Sequence, residues 1–333
     1  MRSRRATLLV PLLALAAVVA VDTVATAEEP SRALPLVVED LSQPFPPAEP
    51  DYVARVRNRW VWDQLTAVRV NPLGAAARFR SGYRVQLTNR AGALFDESNA
   101  AVKLVTEITP SYATVGGRVE LQPLTILQLA AQYELIGSFA TFFNTMSFPA
   151  VTSDYSDRFM RAHRPDTYAT RGDVVTLEAL VQAKVENIAV RNQSRAVSQR
   201  MNLHPGDRFF YHSTLDVLFP NGGWTFINEL DLLWLFPFRL KLGARHTVTR
   251  AFYDDFLDPT DAAGAVTPTH RVGLVAAYSF FEKKKDEGVR YNAPTLALLA
   301  QWWVRHPYRT GAESSAALPY IVLAFAHRGD FLP

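Results

Sequence analysis

The sequence predicts an all-β fold, an antiparallel up-and-down β-barrel that spans a membrane. Three observations carry this expectation. Many segments alternate apolar and polar residues with period two, so each strand would present a different environment on each face. An export-type N-terminus precedes them, and no later stretch reaches roughly 18 uncharged apolar residues in a row, which excludes helical spans. The 333-residue chain has no cysteine, which removes thiolate metal sites, cysteine nucleophiles and disulfide frameworks.

The alternation is clearest from Phe238 to Phe252. Phe238, Leu240, Leu242, Ala244, Val248 and Phe252 take one face, and Arg239, Lys241, Gly243, Arg245, Thr247 and Thr249 the other. In a soluble sandwich the apolar face of such a strand would turn inward. The same polarity over most of an exported chain favours the reverse, with apolar side chains toward lipid and charged ones toward a lumen.

Arg2, Arg4 and Arg5, the apolar run from Leu8 to Val21, and Ala25-Thr26-Ala27 predict a signal peptide over residues 1–27, cut after Ala27. Its loss removes three arginines and Asp22, lowering the formal charge from +3 to +1, so no nucleic-acid partner is expected. Residues 28–71 read as a proline- and acid-rich periplasmic leader. Within them Val53, Val56 and Trp60 recur at helical spacing, so residues 51–64 are either a short amphipathic helix or an irregular lead-in.

The barrel is expected over residues 72–331, after the turn Asn71-Pro72-Leu73-Gly74. From Ala77, Arg78, Arg80 and Arg84 share one face, where three charges would be costly in a dry core. Asn99 to Gln122 is one strand with a bulge near Gly116-Gly117, or two with a turn at Thr109-Pro110-Ser111. Leu127 to Phe139 follows, then a loop of about thirty residues that sets the extracellular side, because long loops lie there in such barrels. Asp173 to Arg200 is one strand, or two with a turn near Asn187. Strands are then expected at Phe209 to Phe219, Trp224 to Phe236, Phe238 to Phe252, Arg271 to Phe280, Thr295 to His306 and Leu318 to His327. Long segments counted whole give about ten strands, the favoured number, and split they give about twelve; both satisfy the even-number habit of bacterial barrels. Aromatic residues gather at the predicted interfaces, with Trp234, Phe236, Phe238 and Phe280 below and Phe219, Trp224, Trp302 and Tyr308 above.

With its signal segment, alternating strands, proline turns (Gln122-Pro123-Leu124, Phe236-Pro237-Phe238) and aromatic terminal Asp330-Phe331-Leu332-Pro333, the chain resembles the outer-membrane β-barrel proteins of Gram-negative bacteria as a class. The final aromatic differs from the class habit in being followed by Leu332 and Pro333. The resemblance implies an outer-membrane location. Its expected partners are outer-membrane lipid, lipopolysaccharide and the barrel assembly machinery.

The alternation assigns Arg78, Arg80, Arg84, Lys184, Arg239, Lys241, Arg245, Arg271 and Arg305 to the lumen, facing Glu134, Glu178, Asp216, Glu229 and Asp231. Glu229 and Asp231 would pair across strands with Arg239, Lys241 and Arg245. These charges either interlock as a structural filling or line a narrow pore for a small solute. His246 and Arg250 fall on the lipid face near its outer edge.

Neither a cofactor nor a metal is expected. Adjacent His212 and Ser213 point to opposite faces of a strand and would not act together. The acidic run Asp254 to Asp261 lacks the spacing of a calcium loop. The alternatives from other classes are a hydrolase working at the extracellular rim and a receptor or adhesin using the aromatic loop.

Overall fold

A computed structural model of the chain describes residues 58–90, 92–253, 268–283 and 289–331. Twelve antiparallel strands close into a barrel: β1 (Arg59–Val70), β2 (Gly74–Gln86), β3 (Asn99–Ile108), β4 (Tyr112–Leu124), β5 (Leu127–Phe139), β7 (Ala169–Val185), β8 (Ile188–Met201), β11 (Trp224–Leu235), β12 (Leu240–Ala251), β13 (Thr269–Ser279), β14 (Asn292–Arg305) and β15 (Tyr320–Asp330). Each pairs with its neighbour in the barrel, and β15 returns to β1, so no edge is left open. Short strands β6 (Ser147–Phe148), β9 (Phe209–His212) and β10 (Val217–Pro220) form a separate three-stranded sheet.

Twelve strands, rather than the favoured ten, arise from four departures, the last of them an added strand at the start of the barrel. Asn99 to Gln122 is two strands, because Thr109 accepts hydrogen bonds at Oγ1 from the backbone N–H groups of Ser111 and Tyr112 and folds the chain back. That turn also explains the change of facing: odd residues point inward on β3 and even ones on β4, as the pairing of Lys103 with Arg118 requires. Residues 173–200 likewise divide at Glu186 and Asn187. Conversely, the strand expected from Phe209 to Phe219 is a hairpin outside the wall.

The first strand is the largest correction. Arg59 to Val70 lies in the wall, where the sequence pattern places a leader to residue 71 with a short helix or an irregular lead-in over 51–64. Its aromatic and β-branched residues suit an extended chain, and pairing with both β2 and β15 outweighs the brief helical spacing around Trp60. The signal segment and residues 28–57 lie outside the described residues, as does the acidic run at 254–261.

Large apolar side chains face outward: Val102 is 65% exposed and Leu274 63%. Arg118, Arg191 and Lys241 inside are nearly sealed. This inversion of a soluble protein is what a hydrocarbon surround demands of a closed sheet. The outward polar exceptions at mid-height satisfy each other, with Asn228 Nδ2 donating to Asn192 Oδ1 at 3.0 Å and to Ser194 Oγ at 2.9 Å. Trp234, Phe238, Tyr278 and Phe280 ring the rim with short turns, and Trp224 and Trp302 face outward near the other. The even strand number, the apolar outer surface and these girdles make the chain a transmembrane barrel of the outer-membrane kind. The rim bearing residues 140–168, 202–223 and 306–319 is the cell-surface side.

Candidate functional site

Alternation on β2 aims Arg78, Arg80 and Arg84 inward, and each of the first two meets a carboxylate. Arg78 Nε donates to Glu107 Oε2 at 2.6 Å, whose other oxygen accepts from Tyr112 Oη at 2.7 Å. Arg80 Nε donates to Asp63 at 2.6 Å. Lys103 then links Asp63 (3.6 Å) to Glu120 (2.8 Å), and Arg118 links Glu120 (2.6 Å) to Glu178 (2.8 Å). The chain of charges thus steps from β1 to β7, skipping strands where the side chains reach across the lumen. Glu134 accepts from Thr114 and Gln132. Arg84 lies at the lower end, with its Nε lacking a hydrogen-bond partner.

A second network occupies β8, β11 and β12. Asp231 receives Arg191 at 3.0 Å and both Nε and one terminal nitrogen of Arg245, at 2.6 and 2.8 Å. Glu229 receives Arg195 at 3.1 Å and Arg245 at 3.6 Å. The expected pairing of Glu229 and Asp231 with Arg245 is therefore present. Lys241 is buried on the same strand, and Lys184 stands at the lower end of β7. Arg271 faces inward with its guanidinium over the rings of Trp303 (4.8 Å) and Tyr320 (4.1 Å). Asp63, Arg191 and Arg195 are lumen charges that the sequence pattern had not singled out.

Five residues sit elsewhere than expected. Arg239 is in the turn between β11 and β12, donating to the Phe280 carbonyl at 2.9 Å. Arg305 ends β14 opposite His270, where a register shift turns it to the outer surface. Asp216, Phe219 and Tyr308 belong to a folded cap over the cell-surface mouth. Phe219 is fully buried there rather than at a lipid interface, and Tyr308 packs edge-on against Tyr155 at 4.8 Å.

The cap is built from the long loops. Residues 140–168 supply β6 and helix α1 (Asp157–Ala162), whose first turn is capped by Ser156 Oγ accepting from the Phe159 N–H. Residues 202–223 supply the β9–β10 hairpin. Met146, Phe148, Met160, Phe209, Tyr211, Leu218 and Tyr253 form its own apolar core. A second cluster, Phe210 and Phe219 against Ile136, Val174 and Met201, seats it on the barrel wall. The hairpin tip is held from two sides: Arg69 of β1 donates to the carbonyls of Ser213 and Thr214, both at 2.8 Å. Arg309 donates to Asp216 Oδ2 at 2.7 Å and, bidentately, to Asp157 at 2.7 and 2.8 Å.

Burial opposes charge on Asp216, yet the facing His306, the Arg309 guanidinium and the Tyr211 hydroxyl hold its carboxyl below the usual range. Burial pushes the His306 imidazole down. His212, on the underside of the cap, is driven down to about 4 by burial and by Arg69.

Beneath the cap lies a cavity of about 150 Å³. Arg78, Arg80, Arg118 and Arg195 line it against Glu107, Glu134 and Glu178, with His212, Thr214 and Asn144 as its roof. That volume holds several waters.

Within the cap, His212 and His306 both engage backbone groups, and His306 also faces the Asp216 carboxylate at 3.4 Å. His306 Nε2 lies 2.7 Å from the Asp216 carbonyl, and its Nδ1 accepts from the Tyr308 and Arg309 N–H groups. Ser213 Oγ donates to Asn144 Oδ1 at 3.0 Å, away from His212. Among the described residues no group of three or more His, Asp or Glu side chains could hold a metal.

No family model matches the chain, and no curated protein matches it. Solved structures do show likeness. The KdgM porin aligns over 81% of this chain and 99% of its own, at 6% identity and TM-score 0.38. The translocator domain of the autotransporter NalP from Neisseria meningitidis aligns over 82% and 87%, at 12% identity and TM-score 0.36. The Acinetobacter baumannii outer membrane protein Omp33 aligns over 83% and 100%, at 10% identity and TM-score 0.33.

Proposed function

We propose that this barrel is a narrow outer-membrane channel for small polar solutes, with a mild preference for anions and a surface mouth closed by the folded cap. The observation that carries this reading is the cavity under the cap, where four arginines face three glutamates. A low-dielectric ring of fixed charge with a positive excess attracts small anions and repels cations of the same size. The cap has its own small core and meets the wall through one apolar cluster and a few buried polar contacts, so it is the element able to move while the wall stays whole.

A second reading has its own support. The charge relay from Asp63 to Glu178 ties five wall strands together, which favours a filled, structural barrel. Conductance in a planar bilayer separates the two. The channel reading expects small steps in the wild type and larger ones when Arg309→Met frees the cap, with reversal potentials shifted toward cation selectivity in Arg78→Gln/Arg118→Gln. Silence of both wild type and Arg309→Met at every voltage would remove the channel and leave the structural barrel.

A further inference from the structure

The outer surface of the wall carries a cluster of basic side chains on β12, β13 and β14 near the cell-surface rim. His246 and Arg250 of β12, His270 of β13 and Arg305 of β14 lie on adjacent strands and face away from the lumen. His246 Nε2 and His270 Nδ1 are 3.3 Å apart, with their rings stacked at 5.5 Å. The Arg250 guanidinium sits 5.3 Å over the Phe252 ring. Neither Arg250 nor Arg305 has a carboxylate partner among the described residues. Both are in the last two positions of their strands, the depth at which hydrocarbon gives way to headgroups.

Two fixed charges at that depth, with no carboxylate beside them among the described residues, suit a counter-charge from the membrane itself. The surface directly below has the matching apolar character. Ala244, Leu274 and Ala300 run side by side across the same strands, followed by Leu242, Ala276 and Leu298, and the small residues leave a shallow groove between the larger ones. An acyl chain descending from the headgroup level would lie there. Guanidinium groups bind phosphates and carboxylates through paired N–H donors, a match that a sugar hydroxyl does not offer.

We propose that Arg250, Arg305 and the His246–His270 pair form a headgroup site for a phosphorylated lipid of the outer leaflet, with one acyl chain in the groove below. The site depends on the spanning orientation of the barrel but not on whether the lumen conducts.

The folded protein in detergent, titrated with lipid A and read by native mass spectrometry, tests this. Wild type is expected to bind the bisphosphorylated lipid well ahead of the same lipid after dephosphorylation. Arg250→Gln/Arg305→Gln should raise the half-saturating concentration by roughly 30-fold, at about 1 kcal/mol per lost surface charge. Arg250→Lys/Arg305→Lys should restore only the part due to charge, without the paired donors, and Arg164→Gln on the exposed cap should change nothing. Variants are compared only where the barrel keeps its heat-dependent migration, which reports the closed wall. Equal binding of the dephosphorylated lipid, or an unchanged curve in the double glutamine variant, would overturn the proposal. Full competition by inorganic phosphate at the lipid's own concentration would also overturn it, since the site would then take the free ion.

Discussion

Arg309 reaches Asp216 across the mouth of the barrel with Nε 2.7 Å from Oδ2, and both side chains are almost completely shut off from water. Asp216 sits at the tip of the β9–β10 hairpin in a left-handed backbone conformation, φ 57°. Arg309 comes from the loop after β14 and also grips Asp157 of α1. One guanidinium thus fastens two separate loops.

Asp216→Asn therefore leaves Arg309 half-paired in a dry site. Breaking a buried pair from one side costs about 3–5 kcal/mol, and that loss falls on the cap rather than on the wall. The variant should open more often in bilayer recordings and be cut by trypsin at Arg208, while the barrel keeps its heat-dependent migration. Protease resistance equal to wild type would show that the apolar core alone holds the cap.

Acid should loosen the closed state. In an opened cap His212 meets water and takes up a proton below about pH 6.5, whereas in the closed cap it stays neutral down to about 4. The open state binds more protons over that window, so closure weakens as the pH falls from 6.5 toward 4 and is fully regained above it. The full effect of this group is about 3 kcal/mol. His306, pushed down by burial, adds in the same direction. Asp216 stays ionised throughout, because its pKa lies below the ordinary carboxylate range. Open probability measured against pH should lose most of this dependence in His212→Phe.

Within the wall, Asp231 is the single acceptor between Arg191 and Arg245. Asp231→Ala leaves buried Arg191 without a carboxylate and Arg245 with only Glu229 at 3.6 Å, and should destabilise the folded barrel by about 3–5 kcal/mol, read by denaturant unfolding in detergent. The triple change Asp231→Leu/Arg191→Met/Arg245→Met should recover much of the loss, since no charge then remains unpaired.

Gly273 faces inward where the backbone of β14 approaches β13 closely. A Cβ there would lie 2.0 Å from the Ala300 carbonyl oxygen and 2.5 Å from the Gln301 Cα. Neither is a flexible tip, so Gly273→Val should lower the yield of closed barrel sharply. The same change at Gly117, where a Cβ meets open space on the outer face, should fold normally.

How much of this was legible in the residues depended on contrast between faces. Where lipid-facing side chains are large and apolar, as in β12, period two shows both the strand and its orientation. Residues 191–200 hide theirs, because outward Asn192 and Ser194 are as polar as inward Arg191, Gln193 and Arg195; only the hydrogen bonds from Asn228 make that surface tolerable in hydrocarbon. Residues 209–219 mislead in the opposite way. They alternate well enough for a wall strand, but Phe210 and Phe219 stack on each other at 5.4 Å inside the cap, a contact that only the tertiary fold supplies. The cap lock could not be foreseen, since Asp157, Asp216 and Arg309 are brought together from three distant loops.

The ring is sealed by its own two ends. Arg59 on the first strand grips Asp330 on the last at 2.5 Å, across a separation of 271 positions. Until β15 arrives, β1 has an unsatisfied backbone edge, and hydrocarbon offers that edge no substitute for a strand. The growing sheet must consequently be sheltered until nearly the whole polypeptide has been delivered. A truncation that spared every pore-lining charge but stopped short of residue 320 would leave a curled ribbon instead of a cylinder.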